Sequence, residues 1–417
     1  MDPDTDSPHA PRHIFRGLHL VVGVSGGIAA YKSAELVRLL CKQGAQVRVM
    51  MSVNAQAFVG PTTFEALSGT PVVSSLFAGP GRSEASIQHI EWAREAQGVV
   101  LAPATANLIG KLANGIADDA LSTFLMAVTA PILVCPAMNS HMLASPAVQR
   151  NLTQLRADGR NVMEPDAGEL ACGTSGPGRL PDPERIADRL AALLTPQDFQ
   201  GRRVLVTAGP TQEPMDPVRY VSNPSSGKMG FALARAAEHR GAQVTLVTGP
   251  THLNPPLNTE IVAVRTAAEM ARAVFQRMDT MDLLIMTAAV SDYRPLNPAD
   301  QKMKKGLDRL RVEMERTTDI LATVGKRKKN RIVVGFAAET QNLDVHAAAK
   351  LKAKNADLMV GNRVDRGDAG FQADTNQVTL YFRDRPPETL PLMSKAELAH
   401  HLLDRILKLE LPFPVMV

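Results

Sequence analysis

Two stretches of this 417-residue chain open in the same way. In the first, the apolar run 18–24 gives way to Ser25, Gly26, Gly27 and Ile28 and then to a helical pattern. In the second, the apolar run 203–208 leads through Gly209 and a turn-rich stretch to Ser225, Ser226, Gly227, Lys228 and Gly230. A strand that ends in a small-residue loop and a helix start is the repeating unit of a parallel α/β sheet. It turns backbone N–H groups and a helix N-terminus toward a phosphate. Two such openings predict two α/β domains with a phosphate-bearing ligand each, and the unlike loops predict unlike ligands. The length also exceeds what a single core supports.

The alternation between the openings agrees. Strand-like runs fall at 18–24, 46–51, 98–102 and 131–135, and a helix over 29–42 puts Ala29, Ser33, Leu36, Val37 and Leu40 on one face. Short, continuously apolar strands between helices predict parallel sheets covered on both sides, a doubly wound fold in each half. Residues 164–179 carry too many glycines for core and read as a mobile flap, followed by a helix capped by Asp182 with Pro183 at its first position. Strands resume at 203–208, 243–248, 260–264, 283–287, 332–336 and 356–361, with 377–382 at the sheet edge and a closing helix over 394–408. The expected layout is a disordered tail over 1–16, domains over 17–194 and 203–417, and a linker over 195–202.

Several function classes are disfavoured. The net charge is +4 and aromatics make up 4% of residues, too little for nucleic-acid stacking platforms. Cys41, Cys135 and Cys172 have neither metal-ligand spacing nor a disulfide framework. No apolar run has the length of a membrane span, and the N-terminus lacks the apolar core of a secretory signal, so a cytoplasmic protein is expected.

In the first half, the Ser25-Gly26-Gly27 turn lacks the flanking glycines of the dinucleotide fingerprint, and Met51-Ser52 stands where an acidic residue would bind a ribose diol. A hydroxyl there suits a phosphate and favours a mononucleotide such as FMN. Ala104, Thr105, Ala106 and Asn107 follow a strand end, where small residues admit a flat ring and Thr105 and Asn107 offer hydrogen bonds; the same residues also make an ordinary capped turn. Asn139 can donate to a carboxylate or serve as a turn residue, and His89 is either a base or a surface histidine. Cys172, in the glycine-rich flap, could be a proton donor that arrives on closure.

Taken in order, Ser25 to Lys32, His89-Ile90, Ala102 to Asn107, Pro136 to Asn139 and Ala171 to Arg179 resemble the homo-oligomeric flavin-containing cysteine decarboxylases. The phosphopantothenoylcysteine decarboxylases are the members they resemble most. The resemblance implies a flavodoxin-like domain with FMN bound by Ser25, Gly26, Gly27, Ile28, Ser52, Ala104, Thr105 and Asn107. It also implies His89 as the base, Asn139 as carboxylate ligand and Cys172 as proton donor. In that family flavin oxidises the thiol so that the carbanion left by carbon dioxide has a sink, and then returns the hydride.

In the second half, Ser225-Ser226-Gly227-Lys228 is not a P-loop, because the upstream glycine is missing and Met229 replaces the metal-binding hydroxyl. Arg219 and Asn223 precede it; Ala288, Ala289 and Asp292 follow another strand end; Lys350 and Lys354 lie one helical turn apart and could meet a triphosphate together. This order resembles the phosphopantothenate–cysteine ligases, with a Rossmann-like domain. Both halves together are similar to the bacterial family that joins the two activities in coenzyme A biosynthesis. The resemblance implies that 4′-phosphopantothenate attacks CTP and that cysteine then displaces CMP. Arg219 and Asn223 would handle the acyl intermediate. Ala288, Ala289, Asp292, Lys302, Thr317, Thr318, Asp319, Ile320, Phe336, Lys350 and Lys354 would bind CTP, with Mg²⁺ at Asp292. Thr317-Thr318 stands where the family has Asn-Pro, and Ser291 where Ala is usual. Trimers at the flavin sites and dimers of the ligase domain imply a dodecamer.

Two other readings compete. An NAD(P)-dependent oxidoreductase would not purify yellow with bound flavin, and a non-catalytic binding module has no use for His89 and Cys172.

Overall fold

The computed structural model describes residues 14–76, 85–304, 310–339, 343–363 and 373–409, with the side chains of 85–89, 339 and 363 left aside. The described chain divides into two compact units that meet in sequence at Thr195 and Pro196.

The first unit has a five-stranded sheet of β1 (His19–Val24), β2 (Gln46–Met51), β3 (Gly98–Ala104), β4 (Ile132–Pro136) and β5 (Asn161–Val162). The order is β2-β1-β3-β4-β5 and every neighbouring pair is parallel. This is the flavodoxin-like order. Its helices are α1 (Ala30–Lys42), α2 (Pro61–Ser68), α3 (Ala85–Glu95), α4 (Ala106–Ala113), α5 (Ala120–Ala127), α6 (Ser140–Ala144), α7 (Pro146–Ala157) and α8 (Pro183–Leu194). Alternation along β1 explains the layering. Leu20, Val22 and Val24 enter one core with Leu36, Leu40, Ile186 and Leu190 of α1 and α8. Val21 enters the opposite core with Leu108, Leu121, Phe124 and Leu152 of α4, α5 and α7. Successive side chains of a strand point to opposite faces, so a strand apolar at every position requires cover on both.

Residues 164–179, expected as a mobile loop, fold into an antiparallel ribbon of β6 (Asp166–Glu169) and β7 (Ser175–Arg179). The expected cap of α8 is in place, but the Asp182 carboxylate makes no bond to the helix. It lies 2.8 Å from Lys32 Nζ instead, because a buried ammonium must be paired.

The second unit carries an eight-stranded sheet: β8 (Arg203–Ala208), β9 (Gln243–Thr248), β10 (Glu260–Ala263), β11 (Leu283–Met286), β12 (Ile332–Glu339), β13 (Leu358–Arg363), β14 (Val378–Phe382) and β15 (Glu388–Thr389). The order β10-β9-β8-β11-β12-β13-β14-β15 is parallel through β13 and antiparallel beyond it. Its first six strands follow the Rossmann order. The strand expected at the edge, β14, is flanked by the two-residue β15. α9 (Lys228–His239) and α13 (Lys395–Leu407) pack on Val204, Val206 and Ala208; α10 (Ala267–Arg277), α11 (Ile320–Arg327) and α12 (Leu343–Ala353) pack on the face of Leu205.

Two boundary readings need correction. Residues 1–13 of the expected tail lie outside the described residues, but at its end Phe15 is only 1% exposed and belongs to the first core. Within the expected linker, Phe199 is buried in the second core, its N–H donates to Arg240 O at 2.9 Å, and the Arg240 guanidinium lies 5.1 Å from its ring. Burial of an aromatic side chain contributes about 2 kcal/mol and ties each of these positions to its core. Among the described residues no helix is long and apolar enough to cross a membrane.

Candidate functional sites

In the first unit a cleft of about 1130 Å³ opens at the carboxyl ends of β1 and β3, the point where strand order reverses. Ser25, Gly26, Gly27, Ile28, Ser52, Thr105 and Asn107 line it together with Asn139 and Cys172. Ser25 ties the floor together. Its hydroxyl donates to Pro103 O at 2.7 Å and accepts the Thr105 N–H at 2.9 Å. That hydroxyl is therefore engaged with protein, and Ser25 shapes the cradle. Gly26 is required by close approach: a Cβ there would lie 2.5 Å from Asn54 Cβ and 2.9 Å from Asn54 C. Neither α1 nor α4 has a side-chain cap, and at α1 the Ala30 and Lys32 N–H groups donate to Gly27 O and Ala29 O, both at 3.0 Å. The Ser52 Oγ is buried and has no hydrogen-bond partner. A buried hydroxyl without a partner is costly, and one on a cleft wall points to an absent acceptor or donor.

The ribbon of β6 and β7 brings Cys172 into this cleft. Gly178 has φ +133°, and a Cβ there would fall 2.0 Å from Met138 O. The Met138 N–H donates to Gly178 O at 3.0 Å, and Ser140 Oγ donates to Pro177 O at 2.7 Å. Backbone is thus docked on backbone, and only glycine permits it. At the ribbon's tip Cys172 Sγ lies 3.1 Å from Thr174 Oγ1 and accepts from Asn139 Nδ2 at 3.2 Å. Asn139 Oδ1 meanwhile accepts the His141 N–H at 2.8 Å, which fixes the orientation of its amide. The Thr174 hydroxyl, then the Thr174 N–H and the Asn139 amide hold the exposed Cys172 thiol below its ordinary range. Burial pushes the thiols of Cys41 and Cys135 up. Among the three cysteines only Cys172 is both exposed and activated.

His89 falls within α3, but its side chain lies outside the described residues. Ala104 is fully buried at the end of β3, where its carbonyl accepts the Ala137 N–H at 3.1 Å, and it is not among the residues that line the cleft.

In the second unit Asn223, Ala288, Ala289 and Asp292 lie in the loops that follow the carboxyl ends of β8 and β11, again where strand order reverses. The Ala289 N–H donates to Gly209 O at 2.9 Å, and Asn223 Nδ2 donates to Val290 O at 3.0 Å, which brings the two strand-end loops together. Thr317 N–H donates to Asp292 O at 2.9 Å and Thr317 Oγ1 to Ser291 O at 2.6 Å. Thr317 thus braces the Asp292 loop, Thr318 and Asp292 are exposed, and Phe336 is half-buried on β12. Ile320 is a core residue of α11, which leaves its backbone alone for contact. The Ser291 hydroxyl is buried without a partner.

Three cations here have carboxylate partners. Lys354 forms an ion pair with Asp319, whose other oxygen accepts the Ala322 N–H at 2.9 Å and caps α11. Burial opposes the Asp319 charge, but Lys354 and that N–H outweigh it and hold the carboxyl below its usual range. Lys228 Nζ lies 2.6 Å from Asp374 Oδ1. Arg219 lies beside Asp216, a fully buried carboxylate that sequence reading passed over. An Asp-Pro step does signal a turn, but the far partner of Asp216 is Met303, 87 positions away. Lys302 is exposed next to it, and Lys350 is exposed on α12. Among the described residues no three His, Cys, Asp or Glu side chains cluster as a metal site.

Residues 9–195 match the family model described as Flavoprotein, and residues 199–409 match the DNA/pantothenate metabolism flavoprotein C-terminal domain. The chain is 47% identical over 392 residues to the coenzyme A biosynthesis bifunctional protein CoaBC of Bacillus subtilis, covering 93% of this chain and 96% of that one. Against the protein of the same name from Escherichia coli the identity is 46% over 395 residues, covering 94% and 97%. A crystal structure of the C-terminal domain of such a protein is 44% identical, covers 50% of this chain and 96% of its own, and superposes with a TM-score of 0.44. Flavoprotein half and C-terminal half follow each other here as they do in those relatives, and the chain belongs to the CoaBC family of bifunctional coenzyme A biosynthesis enzymes.

Proposed function

We propose that the second unit joins 4′-phosphopantothenate to cysteine with CTP, through an acyl-cytidylate. The first unit then decarboxylates the resulting 4′-phosphopantothenoylcysteine to 4′-phosphopantetheine with FMN. The observation that carries this reading is the Cys172–Asn139 contact of 3.2 Å at the mouth of the cleft that holds the unpartnered Ser52 hydroxyl.

The first cleft suits FMN. Ser52 offers a hydroxyl in need of a partner, Gly26 and Gly27 keep the cradle open, and the start of α1 lines the cleft, where the positive end of the helix dipole favours a phosphate. Ile28 and Asn107 are exposed at its rim, where a ring system would rest beside Thr105. FMN, when bound, supplies the two-electron oxidation of the substrate thiol and its reversal, so the net reaction needs no external oxidant. The chain's own residues do the rest. Asn139 donates to the substrate carboxylate without adding a charge that would favour retaining it. Cys172 delivers a proton to the carbon that loses carbon dioxide, and Thr174 and Asn139 then stabilise the thiolate left behind. His89 is assigned as the base on the family resemblance.

In the ligase unit, Arg219 and Asn223 would stabilise charge on the acyl intermediate. Lys302, Lys350 and Lys354 would hold phosphates, with Ala288, Ala289, Asp292, the 317–320 turn and Phe336 around the nucleotide. Mg²⁺ fits as an ion carried by CTP with Asp292 as its protein ligand, since magnesium sites commonly pair one carboxylate with substrate phosphates. A cytoplasmic homo-oligomer, a dodecamer by resemblance, completes the reading.

The test supplies 4′-phosphopantothenate, cysteine, CTP and Mg²⁺ to the purified chain. CMP and 4′-phosphopantetheine should both appear; absence of both rejects the reading.

A further inference from the structure

We propose that Asp216 is a positioning residue for the ligase reaction, holding the Lys302–Met303 backbone against the loop that carries Arg219. This rests on the reading of Lys302 as a phosphate ligand.

The Asp216 side chain has no exposed surface. One oxygen accepts the N–H groups of Val218 at 2.8 Å and Arg219 at 2.7 Å. The other accepts the Met303 N–H at 3.1 Å and lies 3.6 Å from Arg219 Nη1. Arg219 Nη2 closes the loop by donating to Met303 O at 3.3 Å. A second strap runs alongside, with the Ala299 N–H donating to Met215 O at 2.9 Å. Two segments more than 80 residues apart therefore meet on one carboxylate.

A buried carboxylate is a poor way to add stability, because its desolvation cancels much of what its partners return. An apolar side chain would fill the space equally well. What an anion provides is register. It accepts from donors on both segments at once and fixes where each stands relative to the other. Burial opposes its charge, but the three backbone N–H groups and the Arg219 guanidinium outweigh that and keep it ionised. The arrangement leaves Arg219 aligned by Asp216 and sets Lys302, the residue before Met303, at a defined place beside it.

Asp216→Asn keeps the shape but replaces one acceptor with an NH₂ group, so one of the two segments loses its anchor. In the full chain this variant should raise the KM for CTP about 10- to 100-fold, as expected when a hydrogen bond to a buried charge is lost. Decarboxylation of 4′-phosphopantothenoylcysteine by the first unit should stay within twofold and report that the protein is folded. Hydrogen exchange at the amides of 299–304 should accelerate at least tenfold, a readout independent of activity. Lys302→Ala separates the inference from the reading beneath it. If Lys302→Ala raises the KM for CTP, Asp216→Asn added to it should cost less than about threefold more, because both act through one side chain. A full additive loss overturns the inference while leaving Lys302 as a ligand. An unchanged KM in Lys302→Ala overturns the reading of Lys302 and the inference with it. Unchanged exchange at 299–304 in Asp216→Asn also overturns it, because the carboxylate would then not be what holds that segment.

Discussion

The two units place their reactive side chains by different physical means. In the first, backbone lies against backbone: Gly26 admits the Asn54 turn, and Gly178 admits Met138 O where any Cβ would collide. In the second, the same task falls to charge: Asp216 joins Arg219 to Met303, Asp319 holds Lys354, and Asp374 holds Lys228. Close approach gives a rigid seat for a cofactor that stays. In the proposed ligase site, the cations that already have partners would have to exchange them for the phosphates of the nucleotide. The first arrangement cannot accept a methyl group, whereas the second should respond to salt.

The sharpest way to break this contrast is Gly178→Ala. The added Cβ and the strained φ should lift the ribbon from Met138 and move Cys172 away from Asn139. A displacement of this kind costs a catalytic group about 100-fold. Decarboxylation should fall by that much while CMP release by the ligase half remains within twofold. Comparable losses in both activities would mean that the ribbon affects more than its own cleft.

Salt addresses the other side. Raising ionic strength from about 0.05 to 0.5 M shortens the screening length severalfold and should raise the KM for CTP on the order of tenfold. Flavin retention, measured by absorbance after gel filtration, should change less than twofold. Equal sensitivity of the two would erase the distinction. A finer probe is Ser52→Ala, which removes a neutral hydroxyl from the first cleft. One hydrogen bond of that type is worth about 1 kcal/mol, so flavin affinity should drop about fivefold.

Much of this was legible in the sequence because it is local. Val21 and Val22 alternate into two cores, and a strand apolar at every position says so without a structure. Ser52, Thr105, Asn139 and Cys172 come from four separate strand ends or loops, yet they line one cleft, as the rule for parallel sheets requires. What stayed hidden is non-local. The glycines of 164–179 suggested mobility, whereas Gly178 is there to let β7 dock on Met138. Phe199 read as linker because its partners, Arg240 and the second core, lie far along the chain. Asp319 read as a nucleotide ligand and Asp216 was not singled out; that each restrains a cation appears only once distant segments are brought together.

The smallest effect tests how the first cleft tunes its acid without using a charge. Thr174 Oγ1 lies 3.1 Å from Cys172 Sγ and is the largest influence holding that thiol below its ordinary range. A hydroxyl can donate to the thiolate but gives the neutral thiol much less, so it favours the deprotonated form. Thr174→Val keeps the branched shape and removes the donor. The thiol should then ionise at higher pH, and its thiolate fraction at neutral pH should fall. Alkylation of Cys172 by iodoacetamide should slow about two- to fivefold at pH 7, the size expected for one exposed hydrogen bond. Well above the inflection both proteins hold full thiolate, so the rates should converge there. Cys41 and Cys135 are half-buried and buried, with thiols pushed up, so a mass-resolved assay reads Cys172 cleanly. Thr174→Ser restores the hydroxyl without the methyl group and should recover the wild-type profile. An unshifted profile in Thr174→Val would leave the Thr174 N–H and the Asn139 amide as the groups that activate the thiol. The tuning would then rest on the ribbon's backbone together with Asn139, the residue proposed to bind the substrate carboxylate.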